Sequence, residues 1–355
     1  MTDPGPRHLP DLPRVALLDG PTPLQPMPRL SEALGGGVEL WIKREDLGPL
    51  AFSGNKLRNL EFLLGAAIAD GADTIVTSGR RWSNHCRLTA AAGARLGLRV
   101  EIVVSGPRVA RSANLDLIEQ LGATIHQAET DHRSEREALV ERVASEARAG
   151  GGRVRVLPVG GSEAAGAWGQ VLAALEVADQ SSALGFAPAA IVLPTATGGT
   201  QAGLIVGSSV AAAGSAGSAA LNANPSSPSA AGSSRPPRVV GIVVARPEPE
   251  LRPVVERLVA ELATLAGIDA QLDRVELDSE QLGPGYGVPT TASGEAARLL
   301  ARTEGILVDP IYTAKALAGL VALVRSGELD GRRAIFWHGG GLPALFESLD
   351  PPTST

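Results

Sequence analysis

The chain contains only three lysines, so chemistry that requires a primary amine must use Lys43, Lys56 or Lys315. Lys56 follows Gly54 at the predicted start of a helix. The positive end of the helix dipole lowers the pKa of an amine there and favours the neutral form, which can form an imine. Lys43 lies in a predicted strand beside charged residues, which indicates an ion-pair cluster, and Lys315 lies one turn into a helix, which indicates a structural role. The pattern favours Lys56 as the imine-forming lysine, with a solvated surface lysine as the alternative.

A second segment, residues 194–203, combines two glycines and two hydroxyl side chains between an apolar strand and a helix. Thr197, Gly198, Gly199 and Thr200 would place free N–H groups at the helix start, where they form an anion cup. Because the segment contains no lysine, it suits a phosphate ester better than a triphosphate with its metal. The alternative is a tight strand-to-helix turn in which Thr200 is the N-cap. The residues alone leave both interpretations open.

Ser83, Asn84 and His85 form a third polar group, at the end of a loop that follows a predicted strand. Polar residues at the carboxyl ends of strands are typical of ligand sites in α/β sheets. The alternative is that Ser83 or Asn84 serves only as the N-cap of the next helix. We therefore treat this loop as a candidate binding loop.

The three loops require a framework of strands and helices, and the hydrophobic pattern supplies one. Short apolar runs alternate with longer amphipathic stretches, which predicts βαβ units and an α/β fold with parallel sheet. The predicted strands cover residues 74–76, 100–104, 154–157, 190–193, 239–244 and 334–337. The predicted helices cover residues 57–69, 84–96, 114–121, 133–149, 164–178, 200–207, 249–266, 293–302 and 313–324.

Residues 208–234 depart from this pattern, since they contain no charged side chain and consist mainly of Ala, Ser, Gly, Asn and Pro. Such a segment buries too little apolar surface to offset its ordering entropy, which predicts a disordered insert. A docking segment is the functional alternative.

Composition excludes several classes of function. The 355 residues include 32 Lys+Arg and 38 Asp+Glu, a net charge of −6, which argues against nucleic-acid binding. The single cysteine, Cys86, excludes an intramolecular disulfide and a thiolate metal cage, and the five histidines lack metal-ligand spacing. No apolar run is long enough to span a bilayer. We expect a soluble, cytoplasmic protein with no metal and no membrane partner.

The motifs together resemble those of pyridoxal-phosphate enzymes of the tryptophan synthase β-like class, and within it the 1-aminocyclopropane-1-carboxylate deaminase and D-cysteine desulfhydrase family. The resemblance runs from about Pro23 to Phe346, apart from the serine-rich insert. Eight blocks occur in the family's order. They lie at residues 41–47, 54–61, 83–87, 158–162, 197–203, 283–287, 304–315 and 340–345.

The resemblance implies a two-domain, open parallel-sheet α/β fold. Residues 1–50 and 162–355 would form the large domain that binds the cofactor, and residues 51–161 the small domain. Pyridoxal 5'-phosphate would lie in the cleft between the two domains. Relatives form dimers, so we expect a homodimer.

The resemblance also assigns roles to individual residues. The lysine at the position of Lys56 holds the cofactor as a Schiff base, the loop at 197–200 binds its phosphate, and the asparagine at Asn84 contacts its ring hydroxyl. The catalytic residues it implies are Lys56, Ser83, Tyr286 and Tyr312. The cofactor-binding residues it implies are Lys56, Asn84, Thr197, Gly198, Gly199, Thr200 and Thr313.

Several positions depart from the family pattern. Thr313 stands where deaminases carry a glutamate near the pyridine nitrogen, so with no carboxylate evident we expect an unprotonated ring nitrogen, which favours elimination over ring opening. Gly339 replaces a threonine, and Asn59 replaces a lysine that helps bind phosphate, which puts that contact in doubt. Arg81 and Trp82 replace the usual pair before Ser83, and with His85 we assign them to substrate binding.

The function these residues predict is a pyridoxal-phosphate-dependent β-eliminating lyase or deaminase that acts on a small amino acid. In the D-cysteine desulfhydrase reaction, Lys56 would take the α-proton and thiolate would leave, giving pyruvate, sulfide and ammonia. One alternative is 1-aminocyclopropane-1-carboxylate deaminase. Another is a cysteate sulfo-lyase in which Arg81 pairs with the sulfonate. An alternative of a different class is a catalytically silent binding protein that keeps the fold.

Overall fold

The computed structural model describes residues 9–109, 111–130, 132–221 and 235–347, with side chains described for all of these except 215–221. The strands in this part of the chain form two sheets. They are β1 (Leu24–Pro26), β2 (Glu39–Arg44), β3 (Thr74–Arg80), β4 (Arg99–Ser105), β5 (Thr124–Ala128), β6 (Val154–Val156), β7 (Ala190–Thr195), β8 (Arg238–Val243), β9 (Glu276–Asp278) and β10 (Arg333–His338).

The larger sheet has six strands in the order β1-β2-β10-β7-β8-β9, and the smaller has four in the order β5-β4-β3-β6. All pairs are parallel except β1 with β2. Parallel strands are joined by helices that cover both faces of a sheet, which explains the continuous apolar runs in the sequence.

The α-helices pack on both faces of the two sheets. They are α1 (Pro28–Ala33), α2 (Lys56–Ala69), α3 (Asn84–Leu96), α4 (Ala113–Gln120), α5 (Arg133–Ala149), α6 (Ala164–Ala183), α7 (Gly199–Leu221), α8 (Glu248–Ala266), α9 (Thr291–Glu304) and α10 (Thr313–Arg325). Short 3₁₀ turns occur at Val159–Gly161, Leu272–Arg274 and Leu342–Phe346. Every strand and helix predicted from the hydrophobic pattern is present, so the α/β fold class is confirmed.

Strand β7 shows how the larger sheet is buried on both sides. Ile191 and Leu193 contribute to a core with α6, α7 and α8, whereas Val192 contributes to a second core with α9 and α10. The smaller sheet is covered likewise, by α2, α3 and α4 on one face and by α5 on the other. Both sheets are therefore held rigidly, and the loops at their strand ends can be positioned accurately.

The prediction of disorder from residue 208 onward is wrong for residues 208–221, because α7 continues to Leu221. These residues are rich in alanine, the residue with the highest helix propensity, and Ser209 donates its hydroxyl proton to the Ile205 carbonyl one turn earlier (2.9 Å). The rest of the predicted insert, residues 222–234, lies outside the described residues.

The short strands β1, β5 and β9 were not predicted. Their residues are partly exposed and largely polar, so they lack the apolar run by which a buried strand is recognised. All strands of the smaller sheet fall within residues 74–156. The division into a small domain of residues 51–161 and a large domain stays a prediction. In the described part of the chain, no helix has both the length and the apolar character that crossing a membrane requires.

Candidate active site

A cavity of about 780 Å³ opens between the two sheets, where strands β3, β7, β8 and β10 end. Ligand sites of α/β folds occur at such strand ends. The structure brings together here most of the residues selected from the sequence. The predicted site residues that line the cavity are Lys56, Ser83, Asn84, His85, Thr197, Gly198, Thr200, Tyr286, Tyr312 and Thr313.

Lys56 is the first residue of α2, and a strained turn delivers it to the cavity. Ala51, Phe52 and Ser53 precede it with φ values of 40°, 61° and 47°, a left-handed conformation that non-glycine residues rarely adopt. Burial lowers the pKa of Lys56 to about 8. Its amine has no hydrogen-bond partner among the described residues, whereas the other two lysines do. Lys56 therefore has the amine that is available for imine formation.

Arg87 holds the strained turn in place. Its Nε donates to the Ala51 carbonyl (3.0 Å) and its Nη2 to the Ser53 carbonyl (3.1 Å). Its Nη1 donates to the side-chain oxygens of Asn84 and Asn114, each at 2.8 Å. Sequence analysis missed this role of Arg87. The side chain is completely buried, and an arginine in an otherwise alanine-rich helix segment was the available signal.

Asn55 ties the same turn to the larger sheet. Its backbone N–H donates to the Gly339 carbonyl (3.1 Å), and its side-chain Nδ2 donates to Thr200 Oγ1 (2.7 Å). Gln170 in turn donates to the Asn55 carbonyl (2.8 Å). Lys56 and the loop that contains Thr200 are therefore held in fixed relation. Gly339, which replaces the family's threonine, takes part through its backbone.

The anion-cup interpretation of residues 197–200 fits the structure better than the simple turn. Helix α7 begins at Gly199, so Thr200 is not the N-cap, and its hydroxyl instead accepts the proton of Asn55. Ser162 donates to Thr197 Oγ1 (2.6 Å) and orients that hydroxyl. Gly198 has φ +86°, a conformation that favours glycine. The first N–H groups of α7 are left free for an anion at the cavity wall.

Gly160 faces the cup from the neighbouring 3₁₀ turn. A Cβ atom at Gly160 would lie 2.6 Å from Thr197 Oγ1, so only glycine allows this approach. Asn59 supports the same turn, because its Nδ2 donates to the Gly161 carbonyl (3.2 Å). Asn59 is fully buried and does not line the cavity. It has a structural role here, in keeping with the doubt about a phosphate contact at this position.

Of the two N-cap candidates, Ser83 is the N-cap of α3, and both Ser83 and Asn84 line the cavity, as the candidate binding loop predicts. The Ser83 hydroxyl accepts the N–H of Cys86 (3.3 Å). Asn84 Oδ1 is occupied by Arg87, so the Asn84 amide NH₂ remains as the donor for a ligand.

His85 is a buried, neutral imidazole. Burial and the nearby Lys56 charge lower its pKa to about 3. Thr77 donates its only hydroxyl proton to the Leu157 carbonyl (3.2 Å), so at 3.0 Å its oxygen accepts from His85 Nε2. This sets the tautomer and leaves Nδ1 as a buried acceptor without a partner.

Tyr286 and Tyr312 meet through their hydroxyl groups, which are hydrogen-bonded, and their ring centroids lie 5.9 Å apart. Burial raises the pKa of Tyr286 to about 12, and burial together with Tyr286 also raises the pKa of Tyr312 well above its usual range. Both phenols therefore stay protonated at neutral pH. The turn that contains Tyr286 is held by Lys315, whose Nζ donates to the Leu282 carbonyl (2.7 Å), as its expected structural role requires.

Arg81 and Trp82, which the sequence assigns to substrate binding, are not among the residues that line the cavity. Trp82 is buried and packs edge-on against Tyr286, with centroids 5.6 Å apart. The guanidinium of Arg81 lies over the Trp82 ring, 4.6 Å from its centroid. The arginine that reaches the cavity is the preceding one, Arg80. Neighbouring residues at the end of a strand point in different directions, which explains the difference.

A carboxylate that the sequence analysis missed lies directly behind Thr313. Asp309 is fully buried, and the Thr313 hydroxyl donates to it. The expectation of an unprotonated ring nitrogen rests on the lack of an evident carboxylate; Asp309 is a carboxyl group close to Thr313, and the protonation state of the ring nitrogen stays a prediction. An Asp–Pro pair normally indicates a turn, so the local sequence does not show that the Asp309 side chain lies behind Thr313.

Lys43 is the centre of the expected ion-pair cluster, outside the cavity. Its Nζ donates to Glu176 and to Gln180 Oε1 (2.7 Å). Arg58 bridges Glu45 (2.6 Å) and Glu176 (2.9 Å) in the same cluster. In the described part of the chain, no group of three or more His, Cys, Asp or Glu side chains could hold a metal ion.

The strand-end cavity, the isolated lysine and the anion cup define a site for a carbonyl cofactor that carries a phosphate. A family model described as "Pyridoxal-phosphate dependent enzyme" matches residues 15–340, and the chain belongs to this family. The predictions of the family, the enzyme class and pyridoxal phosphate as cofactor are thereby confirmed.

Within that family, the chain belongs with D-cysteine desulfhydrases and ACC deaminases. The D-cysteine desulfhydrases of Salmonella paratyphi B and Salmonella newport are each 37% identical to it over 346 residues, which cover 96% of this chain and 97% of the relative. The crystal structure of an ACC deaminase homologue superposes with a TM-score of 0.80 at 34% identity, and covers 94% of this chain and 93% of its own. O-acetyl serine sulfhydrylase isoform 3 of Entamoeba histolytica, at 16% identity with a TM-score of 0.62, shares the fold and covers 100% of this chain and 96% of its own.

Proposed function

We propose that the chain is a β-eliminating lyase that converts D-cysteine and water to pyruvate, sulfide and ammonia. The observation that carries the proposal is the free amine of Lys56, placed in one cavity with the anion cup and the tyrosine pair. The curated relatives named D-cysteine desulfhydrase support this choice of substrate.

The residues present fit pyridoxal phosphate. Lys56 offers an amine for the aldehyde, and the N–H groups at the start of α7, with Thr197 and Thr200, fit the phosphate. Asn84 retains an NH₂ donor for the hydroxyl group of the cofactor ring. The family resemblance places Thr313 near the ring nitrogen. When bound, the cofactor acts as an electron sink for the carbanion formed at the α-carbon.

The chain's own residues would then move the protons. Lys56, once released, takes the proton from the substrate α-carbon, and its lowered pKa leaves a useful fraction of neutral amine near pH 8. The bond from the β-carbon to sulfur breaks, and thiolate leaves with the electron pair. The paired hydroxyls of Tyr286 and Tyr312 stay protonated, so they supply a proton donor for the leaving group. Water then completes the conversion to pyruvate and ammonia.

The second candidate is opening of the ring of 1-aminocyclopropane-1-carboxylate, which the similarity to the ACC deaminase homologue favours. Thr313, at the position of the deaminase glutamate, opposes it. Cysteate is a further substrate candidate. The silent binding protein is opposed by the retained Lys56, Ser83 and tyrosine pair.

The test is a substrate panel with the purified, cofactor-loaded protein. We expect sulfide and pyruvate from D-cysteine, and loss of both in Lys56→Ala. Tyr312→Phe should lower turnover by about 10²-fold if the pair donates the proton. 2-Oxobutyrate from the cyclopropane acid, with no sulfide from D-cysteine, would replace the first candidate by the second. No keto acid from any substrate would overturn both.

The homodimer and the cytoplasmic location belong to the same proposal. Light scattering on the loaded protein should give twice the mass of 36.4 kDa. A mass of one chain would contradict the dimer and leave the proposed reaction untouched. Cell fractionation tests the location.

A further inference from the structure

Three arginines face the reaction cavity from its two opposite walls. Arg80 ends β3 and Arg136 lies in the first turns of α5, both beside the smaller sheet. Arg246 lies between β8 and α8, beside the larger sheet. The guanidinium carbon of Arg80 is 5.7 Å from the ring centroid of Tyr286. Arg80 therefore lies beside the tyrosine pair, and Arg136 is close enough to both Arg80 and Arg246 for the charges to interact.

Other arginines of the same cavity are neutralised locally. Arg133 forms an ion pair with Glu137 (2.6 Å), and Arg257 forms one with Glu261 (2.6 Å). Such exposed pairs on one helix face belong to the solvated surface. Arg133 and Arg257 therefore show how an arginine that lines this cavity is neutralised by a carboxylate of the protein itself.

Arg136 and Arg246 differ from these two arginines. Both are half-buried, and within the described residues neither has a carboxylate oxygen within 4.0 Å. The Nε of Arg136 is buried without a hydrogen-bond partner. Glu250, which also lines the cavity, is the carboxylate that acts on Arg246 from a greater distance.

The surroundings of Arg136 and Arg246 disfavour the charged forms of both guanidinium groups. Burial lowers the pKa of Arg136, and the positive charges of Arg133 and Arg80 lower it further. The negative charge of Glu137 acts in the opposite direction. Burial likewise lowers the pKa of Arg246, with Arg133 and Arg136 acting in the same direction. Like charges held together away from bulk water repel each other, and an anion placed between them removes the repulsion.

We infer that Arg80, Arg136 and Arg246 form an anion subsite that binds a second acidic group, carried on the side chain of the amino-acid substrate. A carboxylate, sulfonate or phosphate ester fits, since guanidinium groups bind each of these through paired N–H donors. The inference rests on the proposed function, because it places an amino acid in this cavity.

The substrate's other anionic groups have separate partners. The cofactor phosphate fits the cup at Thr197 to Thr200. The substrate α-carboxylate fits the hydroxyl of Ser83 and the first N–H groups of α3. The cavity of about 780 Å³ lies in the upper part of the usual range for ligand sites and has to hold both the cofactor and the substrate.

The test compares D-aspartate with D-asparagine, which differ only in the charge of the side chain. Dissociation constants are measured on the cofactor-loaded protein by calorimetry and by the change in cofactor absorbance, so turnover is not required. The L enantiomers are measured in parallel. We expect the acid to bind at least tenfold more tightly than the amide.

Arg136→Met and Arg246→Met should each reduce that ratio to nearly one. Methionine keeps the apolar stem of the side chain, and Arg246→Gln provides a second variant if one protein proves unstable. Arg257→Met is the matched control, since Arg257 lines the same cavity but pairs with Glu261. It should leave the ratio unchanged.

Four results would overturn the inference. The first is equal binding of acid and amide by the wild type. The second is equal weakening of both ligands in the variants, which would assign the arginines to the α-carboxylate. The third is loss of bound cofactor in the variants, which would assign them to its phosphate. Arginine-dependent binding of inorganic sulfate with no preference for D-aspartate would also overturn it, because the subsite would then serve a free anion.

The outcome is distinguishable from failure of the proposed function. Turnover of D-cysteine without any charge preference would leave the function standing and remove the subsite. A charge preference that depends on the arginines, without turnover of D-cysteine, would retain the subsite and redirect the function.

Discussion

The side chain of Thr313 and the residue Asp309 are hydrogen-bonded in both directions. The Thr313 hydroxyl donates to the Asp309 carboxylate and accepts the Asp309 backbone N–H (2.9 Å). The carboxylate also accepts the backbone N–H groups of Ile311 (2.9 Å) and Tyr312 (2.7 Å). Burial raises the pKa of this carboxyl group, and these hydrogen bonds give its oxygens partners; together they fix the start of α10, where Tyr312 and Thr313 reach the cavity.

Asp309→Asn should lower the free energy of unfolding by about 1–3 kcal/mol, because an amide NH₂ would replace an acceptor among N–H groups and leave buried donors unpaired. Urea unfolding of the loaded protein measures the change. Thr313→Ser, which keeps the hydroxyl, should stay close to wild type. If the Asp309→Asn variant is as stable as wild type, the carboxylate is not what holds this turn.

The reactivity of Lys56 should follow a pKa of about 8, since burial disfavours its charged form. Lys43 and Lys315 are fully buried, so an amine-reactive reagent has Lys56 as its main lysine target. We expect the rate of trinitrophenylation of the cofactor-free protein at Lys56, followed by mass spectrometry, to be half-maximal near pH 8. Lys56→Arg is the control. A midpoint above pH 10 would mean that the amine is solvated.

The stability of the protein should decrease as the pH falls from about 6.5 toward 3, because His85 cannot accept a proton when folded but accepts one when unfolded. With a folded pKa of about 3 and an unfolded value of 6.5, the loss at pH 5 is about 2 kcal/mol. Urea unfolding at pH 7 and pH 5 measures it. His85→Gln should show a smaller difference between the two pH values, and an undiminished difference would refute the assignment.

Arg58→Met should destabilise the protein by about 3–5 kcal/mol, because it leaves the buried carboxylate of Glu45 without its partner. The matched control is Arg108→Met, which breaks the exposed pair of Arg108 with Glu129 (2.7 Å) and should cost under about 1 kcal/mol. Denaturant unfolding of both variants provides the comparison. Similar small losses in the two variants would contradict a structural role for the Lys43 cluster.

Local pattern was sufficient to predict the buried strands, the helices from α2 onward, and the position of Lys56 and of residues 197–200 at helix starts. Lys56 and the cup at Thr197 to Thr200 each combine a glycine turn with a helix start, and such signals lie within a few residues of one another. The tyrosines were found only through family resemblance, because Tyr286 and Tyr312 carry no local signal of chemistry.

The parts that could not be predicted depend on contacts between distant residues. Asn55 meets Gly339 and Thr200 across more than a hundred positions of sequence, and no local pattern records such a contact. The choice of Arg80 over Arg81 depends on the direction in which each side chain leaves the end of β3. Likewise, the continuation of α7 past Ser208 required alanine propensity to be weighed above the lack of apolar surface.

The attachment of Asn55 to Gly339, Gln170 and Thr200 has a consequence for motion. Lys56 lies next in the chain to Asn55, so it shares a rigid frame with the phosphate cup, although it begins a helix that packs on the smaller sheet. If the smaller sheet swings outward to admit a substrate, Ser83 and Arg80 travel with it while the lysine and the cup stay together. Opening and closing of the cleft would then leave the distance between Lys56 and the loop at Thr197 to Thr200 unchanged.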